Sequence, residues 1–204
     1  MRNNNQPKPV YAFIDSQNLN VGVQKFGWKM DWVKFRKYLE QKYGVSKAFM
    51  FIGYVPEFED MYEQLHQAGY MIVLKPTYDM TRPRVESNEQ RATSNDGKEN
   101  PEAKDKKSEE EDKKPVKGNV DADLVLWVMK EIPNYSKAII VSGDGDFYSL
   151  VEYLDKENKL TKILAPNGHY SRLFNRYEKY IDRLDKARGE LAYHDKRRRK
   201  PRGD

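Results

Sequence analysis

The chain has 204 residues and a mass of 24.1 kDa, enough for one α/β domain with a real core. With 34% charged residues and a mean hydropathy of -0.97 it is too polar to be packed along its whole length, so part of it is expected to be unfolded. There is no cysteine, which excludes disulfides, thiolate zinc sites and cysteine nucleophiles, and the three histidines, His66, His169 and His194, are too far apart in sequence to suggest a histidine metal site.

The N-terminal MRNNNQPKPV has no signal-peptide core, and no apolar run approaches the roughly 20 residues that span a bilayer. A cytoplasmic protein with no membrane partner is expected. Next, VYAFI (10–14) reads as a short buried strand ending at Asp15. DWVKFRKYLEQKYG (31–44) reads as a helix capped by Asp31 and stopped by Gly44, with Trp32, Phe35 and Leu39 on one face. AFMFIGYV (48–55) is a second strand, EFEDMYEQLHQAG (57–69) a helix and YMIVLKP (70–76) a third strand.

The stretch 86–115, ESNEQRATSNDGKENPEAKDKKSEEEDKKP, has only Ala92 and Ala103 as apolar residues and reads as a disordered insertion. Closing a long loop costs little more than closing a shorter one, so the flanking segments can share one sheet. After it come a helix over about 120–132, the strand KAIIVS (137–142), a helix over about 147–156, the strand LTKILAP (160–166) and a last helix over about 171–180. This alternation predicts a three-layer α/β/α fold with a central, mainly parallel five-stranded sheet, interrupted by the charged insertion. The domain is expected over 9–182, between a flexible N-terminus (1–8) and a basic flexible tail (183–204). That tail holds nine Lys/Arg against four Asp/Glu, a surplus equal to the net charge of +5 on the whole chain, and its KRRRKPR run suits a phosphate backbone.

Ligands of open parallel sheets gather at the carboxyl ends of the strands, where strand order reverses. Asp15 ends the first strand and Asp144 follows the fourth; if the chain crosses over after the third strand, these two become neighbours and their acids share one rim. In KGNVDADLVLWVMKEI, helical periodicity sets Asp121 on the apolar stripe of Leu124, Val125, Val128 and Ile132, while Asp123 falls beside Lys130 and looks solvated. A lone anion on an apolar face is costly and calls for a cation or donors nearby. In SGDGDF (142–147), Gly143 and Gly145 allow tight backbone bends, and Asp146 can cap the helix that follows. An all-oxygen set of Asp15, Asp121, Asp144 and Asp146 suits Mg²⁺ or Mn²⁺ rather than zinc, and such a centre suits phosphodiester hydrolysis.

FIDSQN (13–18), KGNVDADLVL (117–126) and VSGDGDFYSLVEYL (141–154), in this order on a β-α alternation, resemble the NYN-type, LabA-like branch of the PIN-domain nuclease superfamily. The resemblance covers most of residues 9–182 apart from the insertion. It implies a metal-dependent ribonuclease fold, with Asp15, Asp121, Asp144 and Asp146 at the acidic positions and Asn18 and Ser142 at the polar ones beside them. One departure stands out: many members carry another acid about six residues beyond the KGxD aspartate, where this chain has Trp127.

Single residues keep plainer readings. Asp15 fits a strand-end turn, and Asp144 and Asp146 fit a turn and a cap. Asn18 serves equally as the cap of a helix beginning near Leu19 or as a ligand to substrate, and Ser142 as a backbone partner or a phosphate contact. FGWKMDW (26–32) mixes aromatics and lysine as base-stacking platforms do, although the start of an amphipathic helix explains it as well. Lys117 fits a phosphate contact or a solvated flank of the insertion, and Arg197, Arg198 and Arg199 an RNA grip or a nonspecific tether. The sequence thus points to a Mg²⁺- or Mn²⁺-dependent ribonuclease acting on single-stranded RNA. The alternative is an RNA-binding module of the same fold without turnover, and a dehalogenase-type phosphatase, which needs an acid where Gln17 stands, comes a distant third. A homodimer is compatible with the sequence, which does not decide oligomeric state.

Overall fold

A computed structural model of the protein describes residues 9–75 and 120–194. The N-terminal 1–8, the insertion 86–115, Lys117 and Arg197 to Arg199 lie outside the described residues.

Six parallel strands form one sheet: β1 (Val10–Asp15), β2 (Val45–Gly53), β3 (Tyr70–Lys75), β4 (Lys137–Val141), β5 (Leu160–Ala165) and β6 (Ile181–Arg183), in the order β3-β2-β1-β4-β5-β6. The helices are α1 (Ser16–Gln24), α2 (Trp32–Tyr43), α3 (Glu59–Gln67), α4 (Asp121–Glu131), α5 (Tyr148–Lys156) and the short α6 (Arg188–Leu191). None of the helices among the described residues is long and apolar enough to cross a membrane.

Side chains alternate across the central strands, as the period of two requires. Ala12, Ile14, Met50, Ile139 and Val141 face one core with Leu19 and Val23 of α1 and Phe35 and Leu39 of α2. Tyr11, Phe13, Phe49, Phe51 and Ile140 face the other with Leu124 and Val128 of α4 and Val151 and Leu154 of α5. Both faces of β1 and β4 are therefore covered, which explains their continuous apolar runs. Phe13 and Phe49 stack at 5.3 Å with ring planes 7° apart.

Local chemistry sets the helix ends. The Asp31 carboxylate accepts the Lys34 N–H at 3.1 Å, and Gly44 closes α2 at φ 67°, a conformation that costs glycine little. The crossover from β3 places β4 beside β1, with Val10 to Ile14 in register with Lys137 to Val141. Strand order reverses at this junction, so the carboxyl ends of β1 and β4 flank the crevice where such sheets take their ligands.

Three readings are corrected. The sheet has six strands rather than five, because β6 is a three-residue edge strand too short to leave a hydrophobic period. The packed chain runs past Arg183: Leu184 and Leu191 are fully buried, and Met30 bridges Ala192, so apolar anchors spaced along a charged stretch seat 184–192 on α2. The last helical segment, Arg172–Tyr180, is 3₁₀ with a break at Tyr177 rather than a continuous α-helix.

Candidate active site

The rim where β1 and β4 end carries Asp15 and the Ser142 to Asp146 turn. Asp15 is 4% exposed, the one buried carboxylate among the described residues. One of its oxygens accepts the Asn18 N–H at 3.0 Å and so caps α1, and the other accepts the Ser142 hydroxyl at 3.2 Å. Burial pushes its pKa up to about 6. The Asn18 N–H pulls the other way, the negative charge of Asp121 raises it further, Ser142 lowers it, and Asp144 adds a smaller rise. The fields of two acids from separate segments, Asp121 and Asp144, thus converge on Asp15 at the end of β1, while Asp121 itself is half-buried at the start of α4.

The rest of the rim is tied to Asp15 through the backbone. Ser142, itself buried, accepts the Asp144 N–H at 3.1 Å, and Asp144 accepts the Asp146 N–H at 3.1 Å. The Asn18 amide oxygen accepts the Gly143 N–H at 2.9 Å. Asn18 is therefore not a helix cap, since α1 already begins at Ser16; it joins α1 to the turn after β4. Asp146 is not the cap either. Asp144 caps the 3₁₀ turn Gly145–Phe147, and Asp146 is exposed.

The two glycines of SGDGD are needed for close packing and not for unusual bends, as neither has a positive φ. A Cβ on Gly143 would come within 3.2 Å of the Tyr170 Cβ, and one on Gly145 within 2.5 Å of the Ser171 Oγ. The segment after β5 thus lies against the turn, and the Ser171 N–H donates to the Gly143 carbonyl at 2.9 Å. Sequence reasoning missed this brace. Its centre is Asn167, 7% exposed, whose side-chain amide donates to the Gly22 carbonyl at 2.9 Å and whose Oδ1 accepts the His169 N–H at 2.7 Å. The signal available was PNG directly after an apolar strand, a turn signature that carries no hint of its partner.

Gly22 lies in the same contact: an added Cβ would sit 2.5 Å from the Pro166 Cβ. Gly22→Ala should therefore lower stability by about 1–3 kcal/mol in urea unfolding, although alanine is the better helix former by about 1 kcal/mol. A variant as stable as the wild type would mean that Pro166 does not press on α1.

Two residues of α4 are placed differently from the sequence reading. Asp123 pairs with Lys75 at 3.0 Å across to the end of β3, instead of being a solvated partner of Lys130. Lys130 lies over the Trp127 ring at 5.2 Å, and Trp127 packs on Phe49 at 5.6 Å between ring centres. Position 127 thus extends an aromatic cluster with Phe49.

Among the described residues no three acidic or histidine side chains stand close enough together to enclose a metal ion as they are placed. The donors at the rim are nevertheless all oxygen, and Asp15 sits buried facing the negative charges of Asp121 and Asp144. That combination fits a hard divalent ion.

A family profile for the NYN domain matches residues 9–185, most of the chain. The chain is 23% identical over 192 residues to the Low amplitude and bright protein LabA of Synechococcus elongatus, covering 88% of this chain and 86% of that one. It also shares its fold with a crystal structure of a protein of unknown function from Vibrio parahaemolyticus, at a TM-score of 0.61 and 19% identity, covering 92% of this chain and 98% of that chain. From the three sequence segments, the parallel sheet and the match across 9–185, the chain belongs to the NYN family of PIN-like nuclease domains.

Proposed function

We propose that the protein is a ribonuclease that hydrolyses phosphodiester bonds in single-stranded RNA with Mg²⁺ or Mn²⁺ bound at the β1/β4 rim. The observation that carries this reading is Asp15, a buried carboxyl with a raised pKa facing the charges of Asp121 and Asp144. Such an arrangement is unfavourable for a turn or a cap alone and is relieved by a cation. Asp15, Asp121 and Asp144 would hold the ion, with rotation of the half-buried Asp121 and Asp144 side chains drawing the carboxylates together, and the exposed Asp146 would assist from the edge.

When bound, the ion supplies a lowered pKa for water and charge stabilisation at the leaving oxygen. The chain's own residues do the positioning. Ser142 and the Asn18 N–H fix both oxygens of Asp15, and the Asn18 amide locks the turn that carries Asp144. Lys117 and Arg197 to Arg199 would contribute phosphate contacts, which weaken with salt.

The Trp127 packing favours a second reading, an RNA-binding module without turnover, because an apolar ring replaces an acid. Incubating labelled single-stranded RNA with the purified protein separates the two. The nuclease reading expects cleavage with Mn²⁺ and none with EDTA. RNA binding without metal-dependent cleavage, even at high enzyme, would establish the module instead.

A further inference from the structure

The FGWKMDW segment takes no part in the acidic rim, yet the fold gives its first residues a distinct surface. Phe26 is 40% exposed, and its ring meets that of the exposed His169 edge-on, 5.4 Å between centres. Lys25 directly precedes Phe26 in the chain and Lys29 follows three residues on, both exposed. Arg188 donates to the Gly27 carbonyl at 3.2 Å, and the Tyr193 N–H donates to the Lys29 carbonyl at 2.9 Å, leaving the Tyr193 side chain 58% exposed. A shallow depression lined by Gln24, Gly27, Trp28 and Lys29 lies alongside.

Both segments that build this surface come from the acidic rim. Phe26 follows α1, whose first turn holds Asp15 and Asn18, and His169 follows Asn167 in the segment braced on Gly143. Asn167 bonds to both, through the Gly22 carbonyl and the His169 N–H, so the spacing between the rings and the rim is fixed from inside. Neither 16–30 nor 166–177 contains a single acid. Tyr193 lies three residues before Lys196, where the basic run KRRRKPR begins in the sequence.

We propose that this surface is a subsite for an unpaired nucleobase of single-stranded RNA, stacked on one ring of the Phe26–His169 pair and meeting the other edge-on, with its flanking phosphates against Lys25, Lys29 and Arg188; the choice of ligand rests on the ribonuclease reading of the rim. Exposed aromatic rings interleaved with cations are how strands are gripped without regard to sequence, and a base held in a duplex presents no free face to them. A protein partner would gain from the apolar rings but not from the acid-free, cationic character of 16–30 and 166–177.

The test is fluorescence-anisotropy binding of a long oligouridylate, in EDTA so that nothing is cut, to the full-length wild type and to Phe26→Ala, His169→Ala and Phe26→Tyr variants. Each alanine variant should bind about tenfold more weakly, the loss of one stacked base, and Phe26→Tyr should bind as the wild type does. Binding of a perfect RNA duplex should not change. Wild-type affinity in both alanine variants, or an equal loss for duplex and single strand, overturns the subsite. So does a wild-type dimer in sedimentation that Phe26→Ala dissolves, since the surface would then be a protein contact. A wild type that binds the oligomer through Phe26 yet never cleaves would sink the ribonuclease reading and leave the subsite standing.

Discussion

Asp15→Asn should make the metal-free protein more stable. The Asp15 carboxyl is held at a pKa of about 6 in the folded chain against about 3.9 when unfolded, so between those values the native state binds more protons. Stability contributed by this group is therefore full at about pH 4, falls as pH rises towards 6, and stays lost above it. Asparagine keeps an oxygen for the Asn18 N–H and removes the charge. In EDTA above pH 7 the variant should gain roughly 2–3 kcal/mol in urea unfolding, shrinking to nothing near pH 4. An equal or negative difference at pH 8 would mean that Asp15 is not strained by burial and by its acidic neighbours. The same charge is what a cation would use, so a gain in stability should come with a loss of activity, the exchange common at functional sites.

Asp144→Asn should abolish cleavage while leaving the fold and RNA binding intact. One Asp144 oxygen accepts the Asp146 N–H, and an asparagine can make the same bond, so the 3₁₀ turn keeps its cap. What disappears is one negative charge facing Asp15. The loss in single-turnover cleavage should be about 100-fold or more, beyond what removal of an outer-shell partner of a metal site costs, with RNA affinity within about twofold of the wild type. Asp146→Asn, at an exposed position, should cost only about tenfold. An Asp144→Asn protein that cleaves at the wild-type rate would assign the activity to a contaminant.

The contrast between these acids shows how far the residue pattern could be read. Period-two and helical apolar runs, together with the caps at Asp31 and Gly44, were enough to predict a parallel α/β sheet and the neighbouring of β1 and β4, because local chemistry and burial agree there. The helical period set Asp121 on the stripe of Leu124 and Val128; those two are buried in α4 and Asp121 is half-buried. Hidden from the sequence were relations that depend on a partner far along the chain. The need for glycine at 143 and 145 arises from Tyr170 and Ser171, the role of Asn18 from the Gly143 amide, and the partner of Asp123 from Lys75. β6 and the seating of 184–192 were missed for another reason: anchors as sparse as Leu184 and Leu191 leave no period in a charged stretch.

The central claim is that Asp15, Asp121 and Asp144 together hold one hard divalent ion. Crystals soaked in Mn²⁺ and measured for anomalous scattering test it most directly. The account predicts a strong peak at the β1/β4 rim contacting carboxylates from all three residues, absent from Asp15→Asn crystals soaked in the same way. A rim with no peak, or a peak that persists unchanged in the Asp15→Asn protein, would contradict it.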